Sequence, residues 1–180
     1  MWQRGPNGWA LTPQKCIKNW TEEDKAFLAS YFQKKCMREG SIAYGAFCKE
    51  KLVAFSLLET RPLGEEYAYF NLLGLFVTRN VRGQGLGTQL FQKACIEARK
   101  LGAKRLFLCA NPAEDTVAFY RKRGCTEAKL LIESLMQEEP DAYYMEAELW
   151  NHFMRKHSNS CRHLSRQLLY SDILANAPCG

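Results

Sequence analysis

The chain has 180 residues, of which 47% are hydrophobic and 24% charged, and a formal net charge of +6. That is enough apolar material for one globular domain with its own core. It holds no apolar run long enough to span a bilayer, and its basic excess is too mild to argue for a nucleic-acid partner. The first residues, Met1-Trp2-Gln3-Arg4-Gly5-Pro6, lack the apolar stretch of a secretion signal, so the expected address is cytoplasmic, with no membrane partner.

Taken in chain order, Thr21 reads as a helix N-cap ahead of Glu22, Glu23 and Asp24. Phe27, Leu28, Tyr31, Phe32 and Cys36 follow at helical spacing, and Gly40 ends the helix. Residues 41–47 and 52–59 read as two strands joined by the polar turn Cys48-Lys49-Glu50-Lys51. After a turn at Pro62-Leu63-Gly64, residues 67–77 form a long strand rich in aromatic and aliphatic side chains. Gly83, Gly85 and Gly87 open a second helix with the apolar stripe Leu86, Leu90, Phe91, Ala94 and Ala98, closed by Gly102. Residues 105–110 read as a short strand and 113–123 as a third helix, stopped by Gly124. Residues 125–134 and 142–149 read as two more strands, parted by Glu138-Glu139-Pro140-Asp141. The expected order is α, β-β-β, α, β, α, β-β, an α/β (α+β) domain over residues 1–150.

Residues 151–180 form a basic extension with four Lys or Arg against one Asp, and a short helix is expected over 166–174. All three histidines, His152, His157 and His163, lie there, which excludes histidine catalysis in the main domain. With Cys161 they match no zinc spacing, so no metal is expected. The eight cysteines contain no Cys-x-x-Cys pair and several fall inside apolar patterns, so they read as buried free thiols.

The most informative segment is the strand–loop–helix junction around Arg82-Gly83-Gln84-Gly85-Leu86-Gly87. Free N–H groups at a helix N-terminus bind anions, and glycines let a phosphate come close. Arg82 and Arg79 add positive charge, so a pyrophosphate is the expected ligand. The spacing is neither the Gly-x-Gly-x-x-Gly of a dinucleotide site nor that of a P-loop, since no lysine precedes Thr88.

Those six residues resemble the Arg/Gln-x-x-Gly-x-Gly/Ala signature of the GNAT (general control non-repressible-related) N-acetyltransferase superfamily, and the chain is similar to its small bacterial-type members. The run Phe119-Tyr120-Arg121-Lys122-Arg123-Gly124-Cys125 resembles the family's second signature, and the likeness covers about residues 20–150. It implies the GNAT acyl-CoA N-acyltransferase fold, a mixed and mostly antiparallel central sheet flanked by helices. It also implies acetyl-CoA as co-substrate, held by Leu75, Phe76, Val77, Arg82, Gly83, Gln84, Gly85, Leu86, Gly87, Thr88, Asn111, Ala118 and Tyr120. The implied reaction is direct acetyl transfer to a primary amine of a small molecule or peptide. A backbone N–H near Phe76 would polarise the carbonyl, and Tyr120, the one catalytic residue carried over, would protonate the leaving thiolate. The family's asparagine for the pantetheine amides stands seven residues before the tyrosine, on Ala113, with Asn111 and Asp115 on either side.

Many relatives carry a strand-four glutamate as general base, whereas the stretch here reads Tyr69-Phe70-Asn71. Glu59, Glu65, Glu66 and Asp141 are the base candidates, Asn71 is a candidate for positioning a water, and an amine that arrives neutral needs no base. Tyr143 and Tyr144, after the acidic loop, suit the wall of a site for a cationic amine. The missing glutamate leaves a second reading, a catalytically inactive acyl-CoA-binding regulatory protein on the same fold. A homodimer is compatible with either.

Overall fold

A computed structural model describes residues 1–6, 8–14, 21, 23, 26, 30–32, 34, 35, 41–64 and 69–149, and the backbone of 165–167. Two strands absent from the sequence expectation come first, β1 (Trp2–Gly5) and β2 (Gly8–Leu11), paired as an antiparallel hairpin. The Asn-Gly dipeptide at 7 and 8 was the available signal for it. Trp2 and Trp9 pack on Tyr143, with ring centroids 5.6 and 4.5 Å apart, and the Trp2 N–H donates to Pro112 O at 2.8 Å.

The first helical segment is seen at residues 23, 26, 30–32, 34 and 35; Phe27, Leu28 and Cys36 of the expected stripe lie outside the described residues. Strands β3 (Ser41–Cys48) and β4 (Lys51–Leu63) form the expected hairpin, and Lys49 and Glu50 both take positive φ at its tight turn. Then come β5 (Tyr69–Val77), α1 (Leu86–Lys100), β6 (Arg105–Ala110) and α2 (Glu114–Arg121).

The expected strand over 125–134 is corrected. Only β7 (Thr126–Glu127) pairs with the sheet, and Glu133–Glu138 form a helical turn, α3. A short apolar run such as Leu130-Leu131-Ile132 has no periodicity that separates helix from strand. It is Leu135, buried under β5 and β6, that fixes the outcome. Strand β8 (Tyr143–Glu148) follows, and β9 (Ser165–Gln167) lies antiparallel on β3. Residues 166 and 167 are therefore strand and not the start of a helix. The rest of 166–174, and the histidines, lie outside the described residues.

The sheet order is β7-β8-β6-β5-β4-β3-β9, with β5 and β6 the one parallel pair among the described residues. Its faces separate cleanly by residue parity. Leu58, Phe70, Leu72, Leu106, Leu108, Tyr143 and Met145 face α1 and α2, where Phe91, Ala94, Cys95, Ala98, Val117 and Tyr120 complete the core. Each such Leu or Phe removed from water contributes about 1.5–3 kcal/mol. The other face carries Phe32 of the first helical segment against Phe55 and Leu57, and Leu135 of α3 against Tyr69, Phe107 and Tyr144. Among the described residues no helix is long and apolar enough to cross a membrane.

Candidate functional site

Strands β5 and β6 share a ladder only from Tyr69–Asn71 against Arg105–Phe107. Beyond Asn71, β5 stays with β4, and a register shift opposite Leu57 and Leu58 turns its last residues. Meanwhile β6 stays with β8 through Ala110. The two strands thus part like a V, with Leu72–Val77 on one arm and Leu108–Ala110 on the other. Leu75, Phe76 and Val77 all lie on the β5 arm and are partly exposed.

At the open end of that arm the chain makes a tight link into α1. Thr78 anchors it, its N–H and Oγ1 both donating to Val53 O at 2.9 and 2.7 Å. A single 3-10 turn, Arg79–Val81, follows, and Arg82 Nε donates back to Val77 O at 3.0 Å. Gly83 and Gly85 take φ of +82° and +83°, a left-handed conformation that side chains resist. Gly85 is the N-cap of α1, with no side-chain cap and no acidic residue in the first turn. Its carbonyl accepts Gln89 N–H at 3.0 Å, which leaves the N–H groups of Leu86, Gly87 and Thr88 as first-turn donors with no intrahelical acceptor. Arg82, Gly83, Gln84 and Gly85 are exposed, so the helix end opens to solvent with positive charge beside it.

Gly87 is small for a different reason. A Cβ there would lie 3.1 and 3.3 Å from the Phe119 ring and 3.4 Å from Val77 Cγ2. Its absence lets α1 approach α2, and Phe119 in turn packs edge-on against Tyr120 at 5.1 Å. Arg123 lies over the Phe119 ring, its Cζ 3.4 Å from the centroid, and donates to Phe119 O and to Thr88 Oγ1. Burial lowers the pKa of this guanidinium below its ordinary value. No carboxylate among the described residues pairs with it, so it adds unneutralised charge behind the α1 N-terminus.

Tyr120 is 7% exposed and packs on Phe91, while its hydroxyl makes no hydrogen bond among the described residues. Burial is the main reason its pKa is raised, with Cys125 adding to it and Arg123 opposing, so it stays a neutral phenol well above neutrality. On the other face, at the apex of the V, lies a polar cluster. Glu59 and Asn71 are register partners on β4 and β5, 5% and 2% exposed, and Asn71 Nδ2 donates to Glu59 Oε2. Lys35 Nζ lies 3.2 Å from Glu59 and 3.9 Å from Glu138, and Tyr31 donates to Glu138 at 2.6 Å.

The profile of the acetyltransferase (GNAT) family matches residues 9–125. The chain belongs to the acetyltransferase (GNAT) family. Its fold is similar to that of nourseothricin acetyltransferase, at 20% identity over 83% of this chain and 82% of the other, TM-score 0.57. A GNAT acetyltransferase from Staphylococcus aureus Mu50 matches at 17% identity over 73% and 81%, TM-score 0.58. An aminoglycoside 6'-N-acetyltransferase complexed with coenzyme A matches at 16% over 76% and 96%, TM-score 0.52. No curated protein sequence matches it.

Within this GNAT chain most donor-side residues named from sequence fall in one region, from the β5 arm through the loop to the first turn of α1. Ala118 and Tyr120 lie on α2 beside it. Two of the set are committed elsewhere in part. Thr88 Oγ1 holds Arg123, leaving the Thr88 backbone N–H as its donor. Asn111 Oδ1 accepts Ala113 N–H at 3.0 Å and shapes the entry to α2. Tyr143 and Tyr144 are 1% and 2% exposed; Tyr143 accepts from Arg121 at 2.9 Å and Tyr144 donates to Glu139 O at 2.8 Å. Both rings are core, so neither walls an open site. Of the base candidates, Asp141 is exposed on a turn, Glu65 and Glu66 lie outside the described residues, and Glu59 sits buried at the apex. The grouping of Lys35, Tyr31 and Glu138 around it could not be read from sequence, because it needs three elements brought together, the first helical segment, β4 and α3.

Proposed function

We propose that this chain is an N-acetyltransferase that moves the acetyl group of acetyl-CoA directly onto a primary amine of a small molecule or peptide. The observation that carries the reading is the V between β5 and β6, with the uncapped N-terminus of α1 at the end of the β5 arm. A thioester arm needs a narrow slot flanked by backbone donors and acceptors. Its pyrophosphate needs N–H donors and positive charge at one end of the slot. The chain offers both, and the donors Leu86, Gly87 and Thr88, with Arg82 beside them, suit the anion.

In the transfer, the amine nitrogen adds to the acetyl carbon, and the carbon–sulfur bond breaks as the tetrahedral intermediate collapses. An ammonium acceptor loses one proton to solvent before attack and a second as the intermediate collapses. That second proton neutralises the departing sulfur by way of the Tyr120 hydroxyl. Burial suits Tyr120 to this task, since a phenol that keeps its proton remains a hydrogen-bond donor at any working pH.

The test is thiol release from acetyl-CoA over a panel of primary amines, with acetyl-CoA affinity measured in parallel. Tyr120→Phe is expected to lower kcat by about 10²-fold or more, the usual contribution of a positioned acid, and to leave acetyl-CoA affinity nearly intact. Unchanged turnover would remove Tyr120 from the mechanism. Acetyl-CoA binding with no thiol release on any amine would assign the chain to regulation by acyl-CoA instead of catalysis.

A further inference from the structure

Arg123 is held where its charge is unfavourable. Its Cζ lies 3.4 Å from the centroid of the Phe119 ring, and its Nε is buried with no hydrogen-bond partner. The groups that face it, Cys125 and Tyr120, keep their protons and so do not neutralise it. A methionine over the same ring would keep the packing and leave no orphan donor.

The C-terminus of α2 accounts for one of its donors. Nη1 bonds Phe119 O, and a cation suits that end of a helix. The second donor has no such reason. Nη2 leaves α2 and bonds Thr88 Oγ1, on the third residue of α1. That sets a cation against the positive end of a helix dipole, the reverse of the favourable arrangement. Nothing in α1 offsets it, since the first turn holds no acidic residue and the N-cap is Gly85. Among the described residues Arg79, Arg82 and Arg123 all lack a carboxylate partner. Positive groups gathered with no anion among them fit a site that takes its anion from a ligand.

The approach is built in. A Cβ on Gly87 would lie 3.1 Å from the Phe119 ring, so the bare glycine lets the ring, with the guanidinium over it, come up to the first turn of α1. Bonds to both helices and the ring beneath then fix the plane of the guanidinium. Arg123 acts from a set place behind the turn and does not close on the ligand as a long free side chain would.

We propose that Arg123 is a positioning residue of the donor site: it holds Thr88, presents a fixed positive charge to the diphosphate of acetyl-CoA through the first turn of α1, and so makes binding select the full donor over the bare pantetheine thioester. The role rests on the acetyl-CoA reading and adds to it a residue outside the loop and the β5 arm.

The test is calorimetric binding of acetyl-CoA to the full chain, with S-acetylpantetheine, which lacks the diphosphate, measured by displacement. Arg123→Met is expected to weaken acetyl-CoA binding about tenfold, the scale of one unit charge acting across a partly buried path, and to change S-acetylpantetheine binding by less than about twofold. Arg123→Lys keeps the charge without the fork and is expected to recover most of the affinity. Raising KCl is expected to weaken acetyl-CoA binding less in Arg123→Met than in wild type. A guanidinium that only braces α2 on α1 would weaken both ligands alike, leave the salt dependence unchanged and resist rescue by lysine, and that pattern overturns the proposal. Acetyl-CoA binding by Arg123→Met within about twofold of wild type overturns it as well. Should the methionine variant fail to fold, Arg123→Gln, which keeps a donor for Thr88, carries the same comparisons. A pantetheine thioester too weak to displace acetyl-CoA leaves the lysine variant and the salt dependence to decide. Wild type that binds acetyl-CoA and releases thiol on an amine, with neither property sensitive to Arg123, would defeat this role and leave the acetyltransferase reading intact. The expected binding pattern without thiol release on any amine would do the reverse, and no acetyl-CoA binding by wild type would end both.

Discussion

Gly85→Ala isolates what the backbone of the loop contributes. At φ +83° an L-residue sits in the left-handed region, at a cost of about 1–2 kcal/mol. Packing adds almost nothing to that, because a Cβ there would meet only Gln89 Nε2 at 3.9 Å, an ordinary contact. The whole effect is therefore backbone strain, and it can emerge in two ways. If the fold holds the loop in place, the strain lowers stability. If the loop relaxes, stability is kept and the first-turn N–H groups lose their aim. Residues 82–85 are exposed and no side chain caps the helix, so relaxation is the easier course. The expected result is a 5- to 30-fold loss of acetyl-CoA affinity, the equivalent of about 1–2 kcal/mol, with little change in urea unfolding. Asparagine tolerates this conformation better than alanine does, so Gly85→Asn is expected to recover most of the affinity. Calorimetry with acetyl-CoA and denaturant titrations measure both quantities. Alanine binding within twofold of wild type at unchanged stability, or asparagine binding worse than alanine, would refute the reasoning.

Two further predictions concern groups away from the loop. Glu146, 1% exposed, accepts from Arg105 Nη1, from the Tyr69 hydroxyl and from Lys129 N–H, so Glu146→Leu removes the acceptor these three donors share and leaves Arg105 its ion pair with Glu148. A loss of about 1–3 kcal/mol is expected in urea unfolding, and less than about 0.5 kcal/mol would mean that water replaces the carboxylate. The buried Cys95 and Cys125 thiols are raised by burial, Cys125 to about 12. Unfolding frees them to ionise at ordinary values near 9, so the unfolded state loses protons first and stability falls as pH rises above about 9. Tm measured from pH 8 to 11 is expected to decline less steeply in Cys125→Ala. In the native protein a thiol reagent is expected to label exposed Cys48 quickly and Cys95 only on unfolding.

What the sequence made legible was local. The α1 stripe, its glycine start and the β3–β4 hairpin are each encoded within one short continuous stretch of chain, and periodicity plus turn chemistry recover them. Glycines 83, 85 and 87 look alike in sequence yet serve two purposes, left-handed backbone at the first two and room for Phe119 at the third. Only the packing of α2 on α1 separates those roles. The strand expected over 125–134 failed because β8 pairs with Thr126 and Glu127 alone, a register that depends on the whole sheet. Tyr143 and Tyr144 have the composition of a cation-binding wall, but their alternating positions on β8 send one ring into each core.

The apex of the V shows why the missing strand glutamate misleads when the strand is read alone. Asn71 holds the position where a carboxylate was looked for, and its register partner across the ladder is Glu59. In an antiparallel pair, partners on one face have Cβ atoms about 4.5–5.5 Å apart, so a carboxylate moved to the neighbouring strand still reaches the same apex. The amide at position 71 then does what a second carboxylate could not. It bonds Glu59 without repelling it. Two carboxylates in that place would share a proton, and one of them would be lost as a base. Asn71→Asp therefore separates the two arrangements: if Glu59 is the working carboxylate, the added acid impairs transfer to an amine, whereas a site short of a base would gain from it.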